Sequence, residues 1–461
     1  MKSETKALTP EEKLTQALLP RDEWPYELPK GWVWTHWGSV GNFIAGNAFK
    51  KELQGNPDND IPFYKVGSLK YTNEDGILFD TQNTVTQDEA SKLKATLILP
   101  HALIFAKIGE AIRLNRRAVN NVLCCIDNNL MAFSCKNGET YRFVYFWSQT
   151  LDLYKLANAT TVPAIRKTDL VKIPFPLPPL PEQQRIVDKI ESLFSKLDEA
   201  RDRLQNVLEG YEARRAAILH EAFSGKWMGN SGEQSDIKRI PLKKCGVWHG
   251  GGTPSKSHPE YWANGSIMWI TSKDMKMDVI ENSLVCVNEK GIENSSAVYS
   301  DKPAVLFVMR SGVLRHTLPI AMVSKPYTVN QDLKALTPEE GIIPEYVMWA
   351  CKAEEKTILN QCMKSGTTVE SINFQSLLDF QIPVYPEKEQ RYIVDRIHKT
   401  LTLEESSFNH ISSVYTRIDL MKKSILARAF RGELGTQDPS DPPALDLLRE
   451  CVMASEEVSK S

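Results

Sequence analysis

Glu182-Gln183-Gln184-Arg185-Ile186-Val187-Asp188-Lys189-Ile190 returns later in the chain as Glu389-Gln390-Arg391-Tyr392-Ile393-Val394-Asp395-Arg396-Ile397. The same offset, without a gap, carries Ala222-Phe223-Ser224-Gly225 onto Ala429-Phe430-Arg431-Gly432. A repeat unit this long is not a solenoid of small repeats. It marks two large, similar halves, each closing with one long helix. A two-fold object built from one chain suits a two-part target.

Between those ends the apolar residues recur about every 3.5 positions. In the first copy Ile190, Leu197, Leu204, Tyr211 and Ile218 fall at heptad spacing, with Leu193 and Val207 between. In the second, Ile397, Ile411, Ile418 and Ile425 do so, Glu404 breaks the row, and Val394, Leu401, Phe408 and Tyr415 form a neighbouring one. A sustained seven-residue repeat favours helix–helix pairing with a left-handed supercoil. The spacing predicts one helix from Glu182 to Phe223, roughly 60 Å long at 1.5 Å per residue, and another from Glu389 to Phe430. Two such stripes in one chain pair most simply with each other, antiparallel. The competing arrangement packs each helix on its own domain.

Working outward, the chain divides into seven parts. Residues 1–30 are a polar arm with a short helix expected at Pro10–Leu19, punctuated by Pro20, Pro25 and Pro29. Residues 31–173 alternate short apolar runs with turn residues, a mixed α/β pattern rich in strands. Residues 174–227 hold a proline-rich lead-in, Pro174 to Pro181, and the first long helix; five prolines in eight residues make a stiff extended segment. A linker at 228–238 precedes a second α/β domain at 239–381. Residues 382–434 carry a shorter proline lead-in and the second helix, and 435–461 an acidic tail. The fold expected is mixed α/β: two similar domains separated by two long antiparallel coiled-coil helices, with pseudo-two-fold symmetry. Thr160-Thr161-Val162 matches Thr367-Thr368-Val369 near the end of each domain. The shared residues are mostly apolar and the polar ones between them differ, as expected of one scaffold reading two different things.

Charge narrows the partner class only by its distribution. The formal net charge is -2. From Glu433 to Ser461 seven acids face two bases, so the body carries a small positive excess that can bind DNA if clustered on one face. No run approaches the ~20 apolar residues of a membrane span, and the N-terminus lacks an apolar signal region, so a cytoplasmic protein is expected. The 8 cysteines include no CxxC pair and no histidine at ligand spacing, which reads as reduced thiols and no metal.

Catalytic patterns are missing. There is no GxxxxGK[ST] loop and no GxGxxG after a strand. Gly250-Gly251-Gly252-Thr253-Pro254-Ser255 precedes no clear long helix, so it is a flexible loop and not a phosphate cradle. Asp441-Pro442-Pro443-Ala444 is similar to an adenine-methyltransferase loop but has Ala where an aromatic should stack. No catalytic residue is assigned.

Pro176-Leu177-Pro178-Pro179-Leu180-Pro181-Glu182-Gln183-Gln184-Arg185-Ile186-Val187, ending in Ala222-Phe223-Ser224-Gly225, resembles the central conserved region of type I restriction–modification specificity subunits. The copy at 389–432 resembles their distal conserved region. Leu28-Pro29-Lys30-Gly31-Trp32 looks like the start of a first target-recognition domain. Gly251-Gly252-Thr253-Pro254-Ser255, Tyr261-Trp262-Ala263-Asn264-Gly265, Trp269-Ile270-Thr271-Ser272 and Ser365-Gly366-Thr367-Thr368 look like the signature of many such domains. The likeness covers about residues 28–434, and the order and duplication of the motifs make it specific.

The resemblance implies a non-catalytic subunit in which each recognition domain reads one half of a bipartite double-stranded DNA site. The paired helices would set the spacer and dock two modification subunits, which bind S-adenosylmethionine and methylate adenine at N6. Restriction subunits using ATP and Mg would join them; this chain would hold no cofactor. Candidate DNA contacts are basic or polar residues near turns: Lys65, Lys70, Lys107, Arg113, Arg116 and Arg117 in the first domain; Ser255, Lys256, Ser272, Lys273, Arg310, Arg315, His316, Asn330, Gln331, Thr367 and Thr368 in the second. Lys107 and Arg310 align as a shared phosphate contact. The rival readings are an orphan or antagonist subunit, and a coiled-coil scaffold that ignores DNA.

Overall fold

Leu103–Ala106 and Ala304–Val308 are unbroken apolar runs, and every residue of both is buried. A strand covered on both faces belongs in the middle of a sheet, and each run is the pivot of one half of the chain. The structure is a computed structural model describing residues 9–158, 162–228, 238–364 and 369–454. The chain forms two compact units, residues 1–202 with 415–461, and residues 203–414.

The strands of the first unit are β1 (Val33–His36), β2 (Gly41–Ala45), β3 (Ile61–Tyr64), β4 (Thr84–Val85), β5 (Leu103–Ala106), β6 (Arg117–Val119), β7 (Cys125–Ile126), β8 (Leu130–Cys135) and β9 (Pro174–Leu177). They make a four-stranded sheet β2-β8-β5-β6, a three-stranded sheet β4-β3-β7 and a ribbon β1-β9. Trp37 centres the core, with its ring 4.8 Å from Phe43, 5.0 Å from Phe133 and 4.9 Å from Trp147. The helix Tyr141–Ser148 buries Phe143 against Phe175 and Phe430.

The second unit contains β10 (Lys238–Pro241), β11 (Gly246–Gly250), β12 (Ile267–Ile270), β13 (Val279–Ile280), β14 (Cys286–Val287), β15 (Ala304–Val308), β16 (Ile320–Val323), β17 (Tyr327–Val329), β18 (Leu333–Pro338) and β19 (Gln381–Val384). The plan is the same, β11-β18-β15-β16, β14-β12-β17 and β10-β19, with β13 added at the edge of the larger sheet. β3 runs parallel to β7 and β12 to β17, whereas the central strands pair antiparallel.

The proline-rich lead-in is tidier than its composition suggests. Pro174–Leu177 is the edge strand β9, where a missing N–H is tolerated. The helix starts at Leu180, ahead of Glu182, with Pro181 in a first turn that needs no N–H. The central helix is not continuous to Phe223. It runs Leu180–Glu209, breaks at Gly210 and resumes as Tyr211–Ala222. Gly210 keeps right-handed angles (φ -75, ψ -5). Arg214 Nη1 donates to the Val207 carbonyl at 2.9 Å, capturing an acceptor loosened at the break. Glycine is the poorest helix former after proline, and this side-chain bond competes with the ladder.

The distal helix, Glu387–Ala429, is unbroken. Its two sequence rows are one stripe: Ile397, Glu404, Ile411, Ile418 and Ile425 alternate with Leu401, Phe408, Tyr415, Lys422 and Ala429, all buried or half-buried. On the central helix Ile190, Leu197, Leu204, Tyr211 and Ile218 alternate in the same way with Phe194, Arg201, Leu208, Arg215 and Ala222, whereas Val207 is exposed. Within the first unit Arg201 pairs with Asp419, and Lys422 with Asp198 at 2.5 Å. Within the second, Tyr211 stacks on Phe408 at 4.4 Å and Arg214 binds Glu404 at 2.6 Å. Both sets of contacts run antiparallel. Glu404 therefore belongs to the stripe, as a half-buried polar position paired with Arg214.

The two ends of the described chain belong to the first unit. Thr9 caps the helix Pro10–Ala17 in a capping box with Glu12. The acidic C-terminal stretch contains the helix Ala444–Met453, whose Ala444, Leu447, Leu448, Cys451 and Val452 enter the first core. It packs on Pro10–Ala17. Ala444 N–H donates to Gly31 O at 3.0 Å, and Arg185 pairs with Asp441. The segment thus closes an apolar face of its own unit.

Candidate nucleic-acid interface

Each central strand has one end turned to its long helix. β5 starts beside Val119, which exchanges backbone bonds of 2.9 Å with Gly76 and Leu78. The adjacent Asp75 carbonyl accepts from Arg142 Nη1 at 2.7 Å, and Arg142 reaches Glu191 of the central helix at 2.5 Å. Val305, the second residue of β15, faces Met322, whose N–H donates to Asp278 O at 2.8 Å. The Asp278 carboxylate binds Arg215 of the helix at 2.5 Å and Lys352 at 2.7 Å. Burial alone would push Asp278 up, but Lys352 and Arg215 outweigh it and hold the carboxyl below its ordinary range.

The opposite end of each central strand meets four other segments. In the first head Asp127 N–H donates to Tyr64 O at 2.9 Å, and its carbonyl accepts from Leu130 N–H at 3.0 Å. Asp127 Oδ1 caps Asn129 N–H at 3.0 Å, and Asn129 O accepts from Lys107 N–H at 2.8 Å. In the second head Asn330 N–H donates to Ile270 O (3.0 Å), its carbonyl accepts from Leu333 N–H (3.3 Å), and its Oδ1 caps Asp332 N–H (3.2 Å). Asp332 O accepts from Met309 N–H at 2.8 Å. A glycine seals each arrangement: a Cβ on Gly46 would lie 1.9 Å from Asp127 O, and one on Gly251 1.8 Å from Val329 O. Gly109 N–H to Pro163 O (2.8 Å) and Ser311 N–H to Glu370 O (3.1 Å) bring in the last segment. Two heads with different sequences therefore build the same edge, one strand length away from the helix.

Several predicted contacts lie on or near this edge. Lys65 is half-buried, and its Nζ donates to Gln54 Oε1 at 2.6 Å. Lys107 is half-buried; burial lowers its pKa and Asp127 raises it, with a net lowering. Burial likewise pushes Asp127 up, against hydrogen bonds from Asn129 and Val66 and the charge of Lys65. Lys70 is exposed with its Nζ 4.6 Å from the Tyr71 ring, and Arg113 binds Glu110 at 2.6 Å and lies 3.9 Å over Tyr154. Arg116 is exposed. In the second head Ser255, Lys256, Lys273, Arg310, Arg315, His316 and Gln331 are exposed and Ser272 is half-buried. Arg315 is tied to Glu370, Ser255 shares a hydrogen bond with Ser257, and Thr253 Oγ1 donates to Gln331 Oε1 at 2.7 Å. Asn330 is buried, spent on its turn. Thr367 and Thr368 lie outside the described residues, as do Thr160 and Thr161.

Two expectations need correction. Arg117 is not available to DNA: it is 8% exposed and its guanidinium donates to the carbonyls of Asn115 and Leu151. It opens β6 facing inward, and strand alternation turns Arg116 outward. Lys107 and Arg310 are not equivalent either. Ile104 faces Ala132 and Leu306 faces Ala335, so Met309 takes the place of Lys107 and Arg310 that of Ile108. Strand pairing sets this register, and the heads differ by one residue between this strand and the next. Sequence reasoning named Thr253 only within the Gly251–Ser255 signature, and left Asp127 and Asn128 out of the candidate contacts. Their signal was present: Asp127-Asn128-Asn129 precedes Leu130 just as Asn330-Gln331-Asp332 precedes Leu333.

Among the described residues, no group of three His, Cys, Asp or Glu side chains is placed to hold a metal ion, and no helix is long and apolar enough to cross a membrane. The "Type I restriction modification DNA specificity domain" profile matches residues 29–209 and again 235–411. The specificity subunit of the type I restriction enzyme EcoR124I/EcoR124II of Escherichia coli is 32% identical over 285 residues, 60% of this chain and 67% of that one. The EcoKI specificity subunit of Escherichia coli strain K12 is 22% identical over 450 residues, 91% of this chain and 92% of that one. The HsdS subunit from Thermoanaerobacter tengcongensis shares the fold, with a TM-score of 0.62 at 18% identity over 89% of this chain and 99% of that chain. With two profile matches that take in both heads and the first part of each long helix, well over half of the chain, the chain belongs to the type I restriction–modification DNA specificity family.

Proposed function

We propose that each head reads one half of a split double-stranded DNA site through the edge at the far end of its central strand, while the long helices set the spacing and dock two modification subunits. The observation that carries this reading is the repeated edge. One hydrogen-bonded frame occurs in both heads, and different polar side chains are mounted on it. A frame that stays while its side chains change is what separate half-sites require.

The recognition step divides by chemistry. Exposed Arg116, Lys256, Lys273 and Arg310 neutralise phosphates and position the heads without reading sequence. Polar side chains on the frame meet base edges in the major groove, where all four base pairs are distinguishable. The Arg142–Glu191 and Asp278–Arg215–Lys352 contacts hold each head against its own helix, so that the reading edge keeps a fixed direction. This chain supplies the address and no chemistry. S-adenosylmethionine would be held by the modification subunits and ATP with Mg by restriction subunits, in the cytoplasm.

The test is to co-express the chain with its modification subunit in a host lacking adenine methylation and map N6-methyladenine across the genome. One split motif, methylated in both halves, is expected. An intact complex that methylates nothing and binds DNA without sequence preference would overturn the proposal in favour of an antagonist or a scaffold.

A further inference from the structure

The turns at Asp127–Leu130 and Asn330–Leu333 are bonded alike, through the carbonyl of the first residue, its side-chain cap on the third and the third residue's carbonyl at the central strand. The first residue of each turn is buried and its side chain is used by the cap. The second, Asn128 or Gln331, is exposed. On a rigid turn at the reading edge, its side chain is the one left to face outward.

Building on the reading edge proposed above, we infer that Asn128 and Gln331 are the paired specificity-determining residues of the two heads, and that each forks onto an adenine. Both carry a primary amide, with one acceptor oxygen and two N–H donors. That set matches the N6 amino group and N7 of adenine in the major groove, and no other base presents the same neighbouring donor and acceptor there. The second head prepares its amide further. Thr253 Oγ1 donates to Gln331 Oε1 at 2.7 Å, which fixes the amide plane and leaves the second lone pair of the oxygen for the adenine N6–H. Nε2 then donates to N7. Pinning a glutamine beforehand reduces the side-chain entropy lost on binding. In the first head the residue two beyond the sealing Gly46 is Ala48, where Thr253 lies two beyond Gly251; the shorter Asn128 has fewer torsions to fix. An adenine held by this fork stays stacked in the duplex, so it is not the base flipped out for methylation.

The experiment maps N6-methyladenine for variant chains co-expressed with the modification subunit. Gln331→Ala should relax one adenine position in one half of the motif, with discrimination falling roughly ten- to a hundred-fold. Asn128→Ala should do the same in the other half, and the spacer should not change. Gln331→Glu, an acceptor only, should move that position towards cytosine, whose N4 amino group donates. Thr253→Val keeps the shape without the donor and should weaken the same position by a smaller factor. An unchanged motif for Gln331→Ala and Asn128→Ala, or relaxation spread over both halves, would overturn the inference while leaving the split-site reading intact. A wild-type complex that methylates no split motif would overturn both.

Discussion

Arg116 and Arg117 are neighbours with opposite placements, one exposed and one buried, and the consequence is measurable. Arg117 bonds two carbonyls from within the core. Replacing it with Ala removes both bonds, leaves the part-buried Asn115 carbonyl without this donor while Leu151 O keeps Asn115 Nδ2, and should lower stability by about 1–3 kcal/mol, seen as a lower denaturant midpoint with the DNA motif unchanged. Arg116→Ala should leave the midpoint alone and reduce the slope of log affinity against log salt by about one. Asp278 gives a pH signature. Its folded pKa lies below the unfolded aspartate value of about 3.9. Its contribution is therefore complete above about pH 4 and is lost as pH falls through the depressed value. The stability gap between wild type and Asp278→Asn should be present at pH 6 and close on acidification below 4; a gap that persists would mean the carboxylate charge is not what holds the clamp. At this scale the sequence was only partly legible. Residue type marked Arg116 and Arg117 equally, and only strand alternation separates them. The mistaken pairing of Lys107 with Arg310 came from counting along the chain, where backbone partners set the register.

The long helices were the most legible elements, because a heptad stripe depends on local sequence alone. Ile190, Leu197 and Leu204 announced one helix, and Ile411, Ile418 and Ile425 the other. The break at Gly210 was not legible, since it depends on where the Arg214 guanidinium finds a carbonyl. Gly210→Ala should heal the break and raise helix stability by about 0.8–1.0 kcal/mol, read as a higher thermal midpoint. The added Cβ would meet Arg214 Nη1 at 2.7 Å, the mobile end of a side chain that can move aside. The terminal helix Ala444–Met453 was legible only in part: Leu445-Asp446-Leu447-Leu448 reads as a short helix, but what it packs on does not follow from the sequence. Its acidic surroundings left its partner open, and Leu447 and Leu448 face the first core. Leu448→Ala should cost about 2–5 kcal/mol. Calorimetry should show that loss in one unfolding transition and leave the other in place, because Leu448 belongs to the first unit alone.

For the whole molecule the test of the ruler is geometric. Removing one heptad from each long helix shortens each by about 10 Å at 1.5 Å per residue, close to three base-pair steps at roughly 3.4 Å each. The methylated motif should keep both halves and lose about three base pairs of spacer; an unchanged spacer would refute the ruler. The two-fold plan was visible in the duplication at Glu182 and Glu389, yet the shared hydrogen-bonded edge was not. Its frame is made of backbone bonds among segments far apart in sequence, and no single motif carries it.

The way the chain threads its two units has a consequence for synthesis. Residues 203–414 are one unbroken stretch, whereas the first unit is assembled from the stretches on either side. A ribosome therefore releases the second unit complete while the first still lacks the end of the distal helix and the helix Ala444–Met453. Until those emerge, the apolar surface that will receive Leu447, Leu448 and Val452 is uncovered. Folding of the second unit then helps the first. Tyr211 and Phe408 come together in it, so the long intervening loop is already closed when the last residues arrive, and its closure entropy no longer falls on the first unit. The head that is translated first is the one that finishes folding last.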